Sequence, residues 1–271
     1  MRFNLKEITS LSLFFAFALA AESQVVINEV SAANYSQTQD NFGEFEDWIE
    51  LYNTSGSAVD LSGYYLSDRI NNNTKYQIPE GTVIGPSGHL VFWCSSRNTD
   101  GGGSYHTTFK LTQCESEPVV FSDPSGNIVD LFEFEYTNQM NHSTGRAPDG
   151  AEEWMVYQLP TPGGSNNTQT YAPYPKKPVF SQDAGFYEGS VTVEITTDQP
   201  NASLHYTLDS STPTENSPEY TGPITITETT VLRAVAVSSD PLVPKGFIET
   251  NTYFINEDFS VAVISMVSDE M

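Results

Sequence analysis

Short apolar segments with a two-residue period constrain the fold of this chain most strongly. Val191, Val193 and Ile195 alternate with threonine and glutamate, and VVINEV from Val25 and HLVFWC from His89 are runs of similar length. A period of two places alternate side chains on opposite faces of a β-strand. Clusters of Gly, Pro, Asn and Ser separate the runs, and no 3.6-residue helical period is sustained after the N-terminal segment. The chain is therefore predicted to be all-β.

The charge balance excludes one class of partner. The 271 residues include 35 Asp and Glu against 11 Lys and Arg, which gives a formal net charge of −24. Such a chain repels phosphate backbones and anionic lipids, and its few cations cannot neutralise several phosphates at once. We therefore expect no nucleic acid among its partners.

The N-terminus has the features of a secretory signal. Arg2 and Lys6 precede the apolar run 11–20, and alanines at 18 and 20 suit a signal peptidase. An uncleaved anchor is the alternative, but a helix of that length rises only about 15 Å, half of a hydrocarbon core. We expect a signal peptide at 1–20, no membrane span after its cleavage, and a secreted or cell-surface protein.

A change of composition divides the rest of the chain. From Leu159 the sequence becomes rich in Pro, Gly, Asn and Ser, which is typical of a linker, and period-two strands resume beyond it. We predict two tandem β-sandwiches, one at 25–165 and one at 178–256. The linker is placed at 166–177, and 257–271 is the start of a further domain or a tail.

Two features of the connecting segments lead to finer expectations. Gly, Ser and Asn at 163–170 predict a mobile hinge between the sandwiches, followed by a stiffer Pro-rich stretch. The apolar run that starts at Phe259 predicts one more strand, which either returns to the second sandwich or opens a further domain.

The first sandwich resembles the lamin tail domain. INEV from Ile27, DWIELYN from Asp47 and HLVFW from His89 occur in the order of that family's motifs. The resemblance covers most of 25–165 and implies an immunoglobulin-like β-sandwich. A polar insert at 35–45 departs from the family pattern, so the surface contacts of other members are not carried over.

The second sandwich resembles the C-terminal module of chitobiase and β-hexosaminidase. YTLDSSTPT from Tyr206 and LRAVAV from Leu232 follow the family pattern, with Ser210 in place of the usual glycine. The resemblance implies a fibronectin type III-like sandwich. In exported bacterial proteins this pair of modules often precedes a CotH kinase-like domain, although the sequence contains none of the ATP-site residues of such a kinase.

Acidic residues before and within the WIELYN segment are candidates for a calcium site. Carboxylates in a loop supply the hard oxygen ligands that Ca²⁺ prefers, but their spacing here is not that of an EF-hand. The alternative is a strand with a solvated acidic face that includes Glu50 and a buried aliphatic face. The candidate ligands are Asp40, Glu44, Glu46 and Asp47.

Aromatic residues of the linker are the candidates for ligand binding. Tyr171 and Tyr174 lie outside the period-two strands, so we expect an exposed pair that stacks on a sugar ring or a protein partner. No other cofactor than calcium is suggested by the sequence.

The sequence shows no pattern of a catalytic site. It lacks paired metal-binding histidines, a nucleophile elbow and a phosphate-binding loop. We interpret the chain as the non-catalytic N-terminal region of an exported multidomain protein, with adhesion or partner-binding and spacer modules that recognise protein or carbohydrate at the cell surface. The alternative is a set of accessory modules of an enzyme, CotH-like or carbohydrate-active, with a catalytic domain beyond residue 271.

Cys94 and Cys114 are the only cysteines, and they are predicted to form one disulfide. An even number of cysteines in an exported chain favours pairing, and buried free thiols are the alternative. Closing the intervening loop should stabilise the fold by about 3 kcal/mol. Mass spectrometry of the protein alkylated without reduction should find no modified cysteine, and two alkylated thiols would refute the bridge.

Overall fold

The structure is a computed structural model that describes residues 24–97, 99, 103–112, 117–135 and 138–267. Over these ranges the chain forms β-strands and one short 3₁₀ turn at Ile70–Asn72, with no α-helix. The all-β prediction is confirmed. The predicted signal peptide lies outside the described residues.

The first sandwich contains strands β1 to β13. The first seven are β1 (Val25–Ser31), β2 (Trp48–Asn53), β3 (Val59–Asp60), β4 (Tyr65–Ser67), β5 (Tyr76–Gln77), β6 (Val83–Ile84) and β7 (His89–Trp93). The others are β8 (Tyr105–His106), β9 (Pro118–Ser122), β10 (Ile128–Glu133), β11 (Ser143–Arg146), β12 (Trp154–Tyr157) and β13 (Thr170–Tyr171).

These strands form two main sheets that enclose one core. A seven-stranded sheet has the order β13-β12-β11-β1-β2-β7-β8, and a four-stranded sheet has the order β10-β9-β4-β5. Strands β3 and β6 form a separate pair. Ile27, Ile49 and Leu51 from the large sheet pack with Phe121 of the small sheet in the same buried cluster. This architecture is an immunoglobulin-like β-sandwich, as predicted.

A β-bulge in β1 sets the orientation of its polar residues. Ile27 lies opposite Leu51 and Glu29 lies opposite Glu50, so Asn28 is an extra residue in β1. A β-bulge adds one residue to a strand, so the side chains that follow it lie on the opposite face from the one that regular alternation predicts. Because Ile27 and Leu51 belong to the core, the Glu29 and Glu50 side chains lie on the outer face of the large sheet.

The second sandwich is built from strands β14 to β21. They are β14 (Val179–Phe180), β15 (Gly185–Tyr187), β16 (Val191–Val193), β17 (Ile195–Thr196), β18 (Ala202–Thr207), β19 (Ile224–Ile226), β20 (Thr230–Ser238) and β21 (Glu249–Ile255). One sheet has the order β15-β21-β20-β18, and two-stranded sheets join β14 to β17 and β16 to β19. Val193, Leu232 and Tyr253 are buried between them. This unit is the fibronectin type III-like sandwich.

The segment predicted to be a hinge is anchored to the first sandwich. Thr170 and Tyr171 form β13, which pairs with β12 at the edge of the large sheet. Asn166 is buried, and its side-chain amide donates to the Arg146 carbonyl at 2.8 Å. The hinge prediction was wrong because it treated these polar residues as solvated, whereas they hydrogen-bond to the sheet.

Tyr174 connects the two sandwiches. Its hydroxyl accepts a hydrogen bond from the Gln139 backbone N–H at 3.2 Å and lies 2.9 Å from His142 Nδ1. Its ring packs against Phe247 of the second sandwich with centroids 5.1 Å apart. The Gln139 side chain also donates to the Lys245 carbonyl at 2.6 Å. The two sandwiches are therefore in direct contact, whereas the sequence predicted that their relative orientation is mobile.

The C-terminal apolar run does not form the predicted strand within the described residues, which end at 267. Phe259 packs against Phe186 and Phe254, and the chain then continues as coil with Ile264 exposed. Strand β21 already pairs with β15 on one side and β20 on the other. The run therefore finds no free edge on β21.

Replacing Tyr174 should separate the two sandwiches. Tyr174→Ala removes the ring contact and both hydrogen bonds, and we expect about 3 kcal/mol of destabilisation together with faster proteolysis between 159 and 178. Tyr174→Phe keeps the ring and should cost only about 1 kcal/mol. Thermal unfolding and limited proteolysis measure both effects. The Tyr171→Phe variant is the control, and unchanged proteolysis of Tyr174→Ala would contradict the assigned contact.

Candidate binding site

The four candidate calcium ligands have different environments and do not share a partner. Asp40 Oδ1 accepts the backbone N–H groups of residues 42 and 44 and closes a turn. Glu44 forms an ion pair with Arg97, and Glu46 Oε2 lies 2.8 Å from Lys110 Nζ. Asp47 is half-buried, and its desolvation raises its pKa to about 7.

The described residues contain no group of three or more His, Cys, Asp or Glu side chains placed to hold a metal ion. The carboxylates predicted as calcium ligands are therefore not assembled into a site there. Cys94 is buried and has no disulfide partner among the described residues, and burial raises the pKa of its thiol well above the usual value. Its predicted partner Cys114 lies outside the described residues, so the disulfide stays a prediction.

The structure separates the two tyrosines that were predicted as an exposed pair. Tyr174 is only 8% exposed and belongs to the contact between the sandwiches, so its prediction as an exposed ligand-binding residue was wrong. The contacts of Tyr174 were not predicted because Phe247 and Gln139 are distant from it in sequence and close to it in space. Tyr171 is half-buried on the edge strand β13 and lines a cleft.

This cleft, which we call the amide cleft, has a volume of about 410 Å³. Four of its side chains are amides, two are aromatic rings and two are apolar. Its walls are formed by the ends of β12 and β13 and by the loops before β2 and β11. The lining residues are Gln37, Met140, Asn141, His142, Gln158, Leu159, Gln169 and Tyr171.

Part of the lining is fixed in place by hydrogen bonds. Asn141 has φ +63°, and its Oδ1 accepts the backbone N–H groups of Tyr35 and Ser36 at 3.0 and 2.9 Å. His142 is held by the Tyr174 hydroxyl, and its burial lowers its pKa. The imidazole is therefore neutral at pH 7, and no lining residue carries a formal charge.

A second polar region, which we call the carboxylate latch, lies on the outer face of the large sheet. Ser143 and Thr161 donate to the Glu29 carboxylate, the latter through its hydroxyl at 2.9 Å. Glu50 accepts from Asn28 Nδ2 at 2.9 Å and from the Gly163 backbone N–H at 2.7 Å. The bonds from Thr161 and Gly163 fasten the 161–166 loop over the sheet.

Asp149 and two glycines complete the carboxylate latch. Asp149 accepts from Asn28 Nδ2 at 3.1 Å and from the Asn166 backbone N–H at 2.9 Å. Gly145 lies opposite Glu29 on β11, and a Cβ there would approach Glu29 Cγ to 2.9 Å. Gly163 has φ +81°, a conformation that favours glycine.

Burial dominates the protonation of the two glutamates. It raises the pKa of Glu29 to about 7, against the lowering effect of the Ser143 and Thr161 hydrogen bonds. It raises the pKa of Glu50 to about 9, and the nearby Glu29 charge adds to the shift. Like charges directly opposite on neighbouring strands repel each other, so retaining protons relieves the pair.

Sequence reasoning missed the carboxylate latch. The alternation of WIELYN correctly separates Glu50 from the aliphatic face, but the alternative of a solvated acidic face is wrong for Glu50. Glu50 is fully buried because the 161–166 loop covers it. The signal that was available is the Asn-Glu pair within VVINEV, where polar residues interrupt an otherwise apolar strand.

Comparison with known families agrees with this architecture. A lamin tail domain matches residues 18–136, and a chitobiase/beta-hexosaminidase C-terminal domain matches residues 182–242. The chain carries both domains in tandem. No curated protein matches it. Within the described residues no helix is long and apolar enough to cross a membrane.

The lamin tail sandwich continues beyond the family match. Strands β11, β12 and β13 follow residue 136 and add to the same sheet as β1 and β2. Most partners of Glu29 and Glu50 in the carboxylate latch, and most residues of the amide cleft, also follow residue 136. Both polar regions therefore depend on a segment that the family match does not include.

The raised pKa values predict that stability falls as pH rises. Folded Glu29 and Glu50 keep protons that the unfolded chain releases above a pKa of 4.5. Their contribution is therefore complete below pH 4.5 and is lost as pH rises through 7 and then 9. We expect the free energy of unfolding to drop by several kcal/mol between pH 5 and 9, and more steeply below pH 7, where both glutamates contribute, than above it.

Denaturant unfolding of Glu50→Gln provides the test of this pH dependence. The neutral variant should lose the part of the drop between pH 7 and 9, whereas Glu194→Gln on an exposed position should keep it. A Glu50→Gln profile parallel to that of the unmodified chain would show that Glu50 is not the titrating group.

Proposed function

We propose that the chain is a non-catalytic binding region of an exported cell-surface or secreted protein. Its lamin tail and chitobiase C-terminal domains act as partner-binding and spacer modules. The observation that carries the proposal is the amide cleft, a concave and uncharged site on a chain with a net charge of −24. Ligand sites are commonly concave and lie where domains meet.

The contact through Tyr174 supports the role as a spacer. Tyr174 lies three residues after Tyr171 of the amide cleft and packs against Phe247 of the second sandwich. A second backbone hydrogen bond, from the Ala172 N–H to the Leu242 carbonyl at 2.7 Å, crosses the same junction. A fixed junction holds a binding site at a defined distance from whatever follows the second sandwich.

A second candidate function is that of accessory modules in a carbohydrate-active or CotH-like enzyme. The observation that favours it is the match at 182–242 to a domain that is named after the enzymes chitobiase and β-hexosaminidase. In this candidate the two sandwiches position a catalytic domain encoded beyond residue 271. The reading frame that follows the codon of residue 271 distinguishes the two candidates.

Export is tested by following the full chain in a bacterial host. We expect a product cleaved after residue 20 in the medium or accessible to protease on intact cells. Phe14→Arg in the apolar run should retain the uncleaved chain inside, and Phe259→Arg should not affect export. Full-length chain that stays inside the cells would contradict the proposal.

A further inference from the structure

We propose that the amide cleft binds a neutral carbohydrate chain. The inference rests on the proposed function, since it names the ligand class of that binding region. Four features of the amide cleft support this ligand class: the absence of charge in the described lining, the free hydrogen-bonding groups, the pre-organised backbone of the walls and the size of the cleft.

The described lining of the amide cleft contains no Asp, Glu, Lys or Arg. Charged residues make up 17% of the chain, so eight residues taken at random would include about one. The cleft at the start of the second sandwich is different, since Lys176 and Lys177 line it together with Asp198 and Glu249. A site that excludes both signs of charge discriminates against ionic ligands, which would have to lose water without gaining a counter-charge.

Several polar groups of the cleft have no hydrogen-bond partner among the described residues. They are the side-chain amides of Gln37 and Gln158, and the hydroxyl of Tyr171. Each amide offers two N–H donors and one carbonyl acceptor in a plane. Adjacent sugar hydroxyls donate and accept together, so a planar amide is matched to them.

His142 adds a neutral imidazole. Its Nδ1 lies 2.9 Å from the Tyr174 hydroxyl, which also accepts from the Gln139 N–H, so the imidazole is held in place. The ring of Tyr171 supplies an aromatic face, on which the C–H face of a pyranose packs while its hydroxyls remain at the edge.

The backbone of the cleft walls and the Asn141 side chain are pre-organised by hydrogen bonds. Tyr171 pairs with Val156 in the ladder between β12 and β13, and Gln158 directly follows β12. Asn141 uses its amide to hold the opposite loop, with Nδ2 donating to Ser36 Oγ at 2.9 Å. A ligand that enters a fixed site loses less free energy to ordering of the protein.

The size of the cleft favours an oligosaccharide over a folded protein. Its volume of about 410 Å³ lies within the range of small-ligand sites. A stable protein partner typically needs about 800 Å² of surface on each side, with aromatic and arginine anchors. The described lining contains no arginine, and its exposed apolar residues are limited to Met140 and Leu159.

The test uses the full chain and soluble hexasaccharides as probes. Cellohexaose, N-acetylchitohexaose, xylohexaose and mannohexaose represent neutral chains, and hexagalacturonate is the anionic control. Isothermal titration should give saturable binding to at least one neutral probe and none to hexagalacturonate. No neutral binding at about 5 mM, or binding to the anionic probe alone, would overturn the proposal.

Variants locate the binding to the cleft. Tyr171→Ala and Gln158→Ala should each weaken the affinity about tenfold. Tyr65→Ala is the matched control, because Tyr65 is also half-buried on a strand but lies in the opposite sheet. Its affinity should change less than about twofold. Equal affinity of Tyr171→Ala and the unmodified chain would overturn the assignment.

Amide NMR of the unmodified chain gives a second readout that does not depend on the folding of any variant. The bound probe should shift the signals of Gln158, Gln169 and Tyr171, and shifts confined to the second sandwich would contradict the assignment. Export is measured separately, so an exported chain that binds no neutral probe refutes the ligand class and leaves the proposed function standing.

Discussion

Glu29 and Glu50 lie directly opposite each other on β1 and β2, and the outer face of the large sheet is built around them. Two carboxylates so close and so far from water would repel each other if both were ionised. The protein meets this cost with raised pKa values and with donors from Ser143, Thr161, Asn28 and Gly163. Two of these donors, Thr161 and Gly163, belong to the 161–166 loop, so the hydrogen bonds that satisfy the carboxylates also hold this loop over the sheet.

The position of this pair follows from one inserted residue. With regular alternation throughout β1, Ile27 and Glu29 would share a face, and the glutamate would enter the hydrophobic core. The bulge at Asn28 moves Glu29 to the outer face, and Asn28 itself then bonds to Glu50 and Asp149. Gly145 on the neighbouring strand leaves the space that Glu29 needs. Strand β11 lies beyond the lamin tail match. It nevertheless provides the space that the glutamate of the INEV motif occupies in the folded sheet.

The sequence predicts the local elements well because a two-residue period is a local property. The runs at Val25, Trp48 and His89 became strands, and both sandwiches were correctly identified. The environment of Glu50 was not predictable in the same way, since its burial depends on a loop more than a hundred residues later. Tyr174 was misjudged for the same reason, as both of its neighbouring surfaces come from distant segments. A polar, Gly-rich segment such as 161–166 reads as a linker whether its hydrogen bonds go to water or to buried carboxylates.

The carboxylate latch and the amide cleft are linked through one stretch of chain. Residues 161–166 close the latch, 169 and 171 line the cleft, and Tyr174 reaches the second sandwich. A chain segment that is fixed at three successive points has little conformational freedom between them. Fixing one point therefore lowers the conformational entropy that is lost when the next point is fixed. Latch, cleft and domain junction should therefore respond together when the segment is loosened. This arrangement explains how a segment rich in Gly, Asn and Ser can be held in one conformation beside a domain boundary.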